Sequence, residues 1–97
     1  MCTIDRGIIA TLYRFLRYKK HNSMTIQEKV GKTIIKLRKE RGMSQETFAY
    51  ESGIDRRYMS DIENGKRNIS LDILERVADK LGIPLSEFFK IAEAMKE

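Results

Sequence analysis

The chain has 97 residues, of which 41% are hydrophobic and 34% charged, with a net charge of +5, one cysteine and one histidine. That suits one small domain with a compact core and leaves no room for a deep cleft between domains. Cys2 has no second cysteine to pair with, and with His21 it makes no recognisable metal spacing. No catalytic residue, metal or cofactor is therefore expected.

No apolar run is long enough to span a membrane, the first residues lack the uninterrupted apolar core and small-residue cleavage site of a secretory signal, and no glycine-rich phosphate loop occurs, so a cytoplasmic location is the default expectation. The positive charge is unevenly placed. Arg6, Arg14, Arg17, Lys19 and Lys20 against Asp5 give residues 1–23 a net +4, which leaves only +1 for residues 24–97. Basicity as such is weak support for nucleic-acid binding, and the placement of each cation has to carry the argument.

In chain order, Ile4, Ile8, Leu12 and Phe15 form a helical stripe with Arg6 and Arg17 opposite, and "KKHNS" follows as a linker. A membrane-surface helix is one reading of this segment, weakened by Gly7 and by its modest length. A disordered or non-native leader is the other, because "MTIQEKV" from Met24 reads as a start in its own right. Residues 1–23 are taken as an extension and residues 24–97 as one all-helical domain.

The domain divides into five helices. Val30, Ile34 and Leu37 recur at helical spacing between Ile26 and Arg41, and Gly42 stops the first helix. Ser44 caps the second, with Met43 and Phe48 as a hydrophobic staple, and Gly53 ends it. Asp55 caps the third, stapled by Ile54 and Met59 and closed by Gly65. Ser70 caps the fourth, stapled by Ile69 and Leu74, with Leu71, Leu74, Val77, Ala78 and Leu81 as its inner stripe. Gly82 and Pro84 separate it from a fifth helix in "LSEFFKIAEAM".

On the third helix Met59 and Ile62 share one arc, while Arg57, Ser60, Asp61 and Asn64 lie opposite, with Arg56 and Tyr58 on the flanks. Alone, this is an ordinary wet face. After a short helix and a glycine turn it becomes the layout of a helix-turn-helix, whose second helix enters the major groove by its N-terminal end. Arg56, Arg57 and Tyr58 occupy that end, and arginine carries the fork that matches guanine O6 and N7.

The stretch "SQETFAYESGIDRRYMSDIENGKRN" resembles the Cro/repressor-type, or XRE-type, helix-turn-helix family. Gln45, Ala49, Gly53, Ile54, Met59, Ile62 and the Glu63-Asn64-Gly65 ending stand in that family's order, and the likeness runs from Thr25 to Phe89. Met59 replaces the more usual isoleucine or valine. Within the family, "IDRRYMSDIENGKRNIS" is most similar to the controller proteins of restriction–modification systems.

The resemblance implies a sequence-specific regulator that binds double-stranded DNA as a homodimer on a roughly palindromic operator. Arg56, Arg57, Tyr58 and Arg67 would read bases, and Ser44, Gln45, Ser60, Asn64 and Lys66 would meet phosphates. Ser44 is a good cap whether or not DNA is near. Asp61 is open to two readings, accepting from cytosine N4 or repelling phosphate to sharpen register. The family's counterparts of Arg38 and Glu63 pair across the core, which implies a buried structural ion pair.

Leu85, Phe88, Phe89 and Ile91 of the fifth helix exceed one inward stripe and are expected at a dimer interface, the weaker alternative being that Leu85 and Phe88 only finish the core. RNA polymerase is a further candidate partner. An antitoxin, a phage or plasmid repressor and a protein-interaction module of the same fold remain open alternatives. A chain started at Met24 is expected to keep DNA binding and dimerisation. Loss of either, measured by band shift and sedimentation, would show that residues 1–23 take part.

Overall fold

Between residues 24 and 96 five helices follow one another in the computed structural model: α1 Ile26–Glu40, α2 Gln45–Ser52, α3 Arg56–Glu63, α4 Leu71–Leu81 and α5 Leu85–Glu93. The structure describes residues 24–96 together with Gly7, Ile9 and Ala10, and no strand occurs among them. Those three early residues are helical and exposed. The rest of the amphipathic helix and linker expected over residues 1–23 lies outside the described residues.

Each helix start has a local chemical cause. The side chain of Thr25 accepts from the Glu28 amide, and Glu28 reaches back to the Thr25 amide, closing a capping box. These Thr25 contacts also hold the Glu28 carboxyl below the usual carboxylate range. Ser44 accepts from the Thr47 amide, Asp55 from those of Arg57 and Tyr58, and Ser70 from that of Ile73. Among these five helices only α5 starts without a side-chain cap, at Pro84. Gly53 and Gly82 end α2 and α4 in the left-handed conformation that glycine adopts without a Cβ penalty.

The core is one cluster shared by all five helices. Ile34, Phe48, Met59, Val77 and Phe88 are fully buried in it, with Val30, Leu37, Ile54, Ile62, Leu74 and Leu81 around them. Phe88 corrects an expectation: its ring is spent inside the monomer and is not available to a dimer interface. Leu85, Phe89 and Ile91 are half-buried against the same core. Leu71 corrects another, because it does not join the inner stripe of α4. It stands in the first turn, where no other described element covers it, and is 78% exposed.

Polar contacts fasten the helix ends. Arg41 donates to the carbonyls of Leu37 and Leu81, tying the last turns of α1 and α4 together. Arg76 of α4 donates to the Gly53 carbonyl in the turn between α2 and α3. Lys80 pairs with Glu51 at 2.6 Å. The helix-turn-helix is thus braced from behind by α4.

Against α1 the end of α3 comes closer than any side chain permits. A Cβ on Gly31 would lie 2.5 Å from the carbonyl oxygens of both Ile62 and Glu63. Beyond the helix, a Cβ on Gly65 would lie 2.8 Å from Glu28 Cγ and 3.1 Å from its Cα. Gly31 is fixed by contact alone, and Gly65 by contact together with its left-handed backbone. Gly31→Ala is expected to push α3 away and destabilise the domain by about 1–3 kcal/mol, the usual cost of overpacking. Urea unfolding measures this, and a wild-type midpoint would contradict the close approach.

Candidate nucleic-acid interface

The inner side of α3 ends on Glu63, whose side chain is only 2% exposed. Arg38 of α1 donates to it twice, from Nε at 2.7 Å and from Nη2 at 2.9 Å. Gln45, the first residue of α2, donates a third hydrogen bond at 2.9 Å. The Arg38 Nη1 group also donates to the Met43 carbonyl at 3.2 Å. The hydrogen bonds to Glu63 raise the Arg38 pKa and outweigh the opposing effect of burial. This carboxylate therefore joins α1, α2 and α3 at one point, and it fixes how far the outer face of α3 projects.

That outer face begins with the Asp55 cap, which places Arg56 and Arg57 in the first turn with both side chains exposed. Arg56 makes a loose, open ion pair with Glu46 at 3.4 Å. The Arg57 guanidinium has no ion-pair or hydrogen-bond partner among the described residues. Gln45, Arg56, Arg57, Ser60 and Asp61 line an open depression between the start of α2 and the flank of α3. Tyr58 is half-buried, and the Arg67 guanidinium carbon lies 5.1 Å from its ring centre. Arg67 also donates from Nε to Asp61 at 3.2 Å. Asn64 and Lys66 are exposed on the loop after α3.

Two of the residues expected at phosphates hold other posts. The Ser44 hydroxyl accepts from the Thr47 amide and donates to the Thr47 hydroxyl, so it serves as the helix cap. Gln45 gives one side-chain N–H to Glu63, which makes it a link between the buried clamp and the depression. The start of α2 still offers backbone N–H groups that no intrahelical carbonyl takes, the ordinary setting for an anion.

A second surface was not foreseen from the sequence. Ile26, Val30, Ile69, Leu71, Leu74 and Phe89 line a mostly apolar groove, rimmed by Gln27 and Asn68. Those two side chains are hydrogen-bonded to each other. Leu71 and Ile26 are 78% and 47% exposed there. Only Phe89 among these belongs to the set expected at a dimer interface. A leucine at the first position of an amphipathic helix looks like core in sequence, and only the packing shows that it faces out.

A helix-turn-helix family model matches residues 34–88. The control protein C.MunI of a Mycoplasma species is 51% identical over 69 residues, covering 70% of this chain and 93% of C.MunI. The solved controller protein C.AhdI of Aeromonas hydrophila is 41% identical with a TM-score of 0.62, covering 65% of this chain and 96% of that one. The restriction–modification controller protein C.Esp1396I has been solved as a tetramer in complex with its natural 35 base-pair operator. It is 37% identical, with a TM-score of 0.65 over 72% of this chain and 92% of that one.

Glu63 provides the test of this architecture. Glu63→Ala is expected to destabilise the domain by about 3–5 kcal/mol, because Arg38 is left buried and uncompensated. The paired change Arg38→Met with Glu63→Leu should recover most of that loss in urea unfolding. A double variant as unstable as Glu63→Ala would contradict the explanation by an unpaired charge.

Proposed function

The chain belongs to the helix-turn-helix family of DNA-binding regulators, with restriction–modification controller proteins among its relatives, and on that premise we propose how it reads DNA. The protein acts as a homodimeric, sequence-specific transcription regulator of the controller type. The N-terminal turn of α3 enters the major groove, and Arg56, Arg57 and Tyr58 meet base edges there. The observation that carries this reading is the free, exposed guanidinium of Arg57 at the leading end of a helix whose inner side is clamped. A fork held at fixed depth can meet guanine O6 and N7 in one register, which is what base discrimination requires.

Phosphate contacts supply salt-sensitive affinity. The start of α2 offers its free amides, and Ser60, Asn64 and Lys66 flank the same approach. Arg67 joins the base-reading set from the loop that follows α3. No step of this function calls for a catalytic group or a cofactor, and we read the chain as a binding protein that works in the cytoplasm.

The second copy would cover the apolar groove around Leu71, Ile26, Ile69 and Phe89. An apolar surface this open is costly in a monomer, and it begins directly after the Arg67 loop, so a partner seated there lies next to the reading surface. A two-fold pair places two α3 helices in successive major grooves, about 34 Å apart, on a roughly palindromic operator. The operator complex of C.Esp1396I supports assembly of this kind.

Arg57→Ala tests the reading on an operator selected from random-sequence duplexes. The variant is expected to lose about 1–3 kcal/mol of preference for that operator, or roughly 5- to 150-fold. Its affinity for unrelated duplex should fall much less. Equal weakening on every sequence would reduce Arg57 to a phosphate contact, and salt-independent wild-type binding would overturn the reading.

A further inference from the structure

Asp61 is an acid in the middle of a cationic surface. It stands four residues after Arg57 on the same face of α3, and it lines the depression shared by Gln45, Arg56, Arg57 and Ser60. Its Oδ2 accepts from Arg67 Nε at 3.2 Å, while the Arg67 guanidinium carbon lies 5.1 Å from the centre of the Tyr58 ring. Arg67 is therefore held from two sides, by a carboxylate and by an aromatic face, and both holders belong to α3. The side chains of Asp61 and Arg67 are 31% and 52% exposed, so the pair is within reach of a docking duplex. Open pairs of this kind are weak enough to exchange partners.

We propose that Asp61 is a selectivity residue, which keeps Arg67 off the phosphates of unrelated DNA and so removes one cationic contact from non-specific binding. The inference rests on the DNA-binding reading above and adds a penalty against wrong sequences to the attraction for the right one. On an unrelated duplex, moving Arg67 to a phosphate leaves the Asp61 carboxylate facing the same negative backbone without a partner. Arg67 then stays where it is. On the operator, a fully seated α3 brings Asp61 to the base edges, where the N4 amino group of a cytosine can donate to it. Arg67 is thereby released to the DNA only when the sequence supplies a replacement for it. Asp61 thus couples the base-reading face of α3 to the loop that follows it.

The test uses the full chain, an operator selected from random duplexes, an unrelated duplex of equal length and a salt series. Asp61→Asn keeps the shape and removes the charge. It is expected to tighten binding to unrelated duplex about tenfold and to raise the salt slope there by about 1, the signature of one more phosphate contact. The gain on the operator should be smaller, so the ratio of the two affinities falls. In an Arg67→Ala background the same change should raise neither the slope nor the unrelated affinity to that extent. An equal gain with and without Arg67, or equal tightening on both duplexes, would reduce Asp61 to general repulsion and overturn the inference. A wild-type chain that selects its operator while Asp61→Asn leaves slope and ratio unchanged overturns the inference alone. A wild-type chain that selects no duplex overturns the DNA-binding reading and the inference together.

Discussion

The Glu63 carboxylate accepts three hydrogen bonds from two other helices, two from Arg38 and one from Gln45. Next to it, the backbone of α3 meets Gly31 so closely that no Cβ fits between them. One contact sets the distance between α3 and α1, and the other sets the rotation and tilt of α3 against α1 and α2. A helix of eight residues has too few turns to hold its own orientation, and an exposed helix this short is marginal by itself. Everything the outer face can do depends on this inner anchorage, because a fork can distinguish bases only when its depth and angle are fixed.

The division of labour along α3 follows. Met59, Ile62 and Glu63 face inward, and Arg56 and Arg57 face outward. Gln45 is shared, with one N–H on Glu63 and its side chain at the edge of the open depression. The brace from α4, through Arg76 on Gly53 and Lys80 on Glu51, keeps the turn between α2 and α3 from shifting. Charge matters here by position, since the domain as a whole is nearly neutral while the N-terminal turn of α3, with Arg56 and Arg57, is cationic. Asp61 and Arg67 add a local correction to that field, an acid and a base paired at 3.2 Å.

Much of this architecture is local and therefore readable in sequence. Staples, caps and stop glycines are short-range patterns, so the starts of α2, α3 and α4 and the ends of α2 and α4 stand where Ser44, Asp55, Ser70, Gly53 and Gly82 put them. The capping box of Thr25 and Glu28 is equally local, a Thr-x-x-Glu signal at the start of α1. What the sequence hides is tertiary. The need for glycine at position 31 comes from carbonyls some thirty residues away. Leu71 and Phe88 both sit in amphipathic helices, yet one is open and the other sealed, according to what packs over each. The second post of Gln45 is of the same kind, since the start of a helix can be read and the buried carboxylate beside it cannot.

The proposed function requires a two-fold pair of clamped α3 helices that reads two half-sites. The most direct measurement is a hydroxyl-radical footprint of the full chain on a selected operator. Two protected tracts are expected on one face of the duplex, centred about 10 base pairs apart, one helical turn. A single protected tract, or protection spread without helical phase, would contradict it.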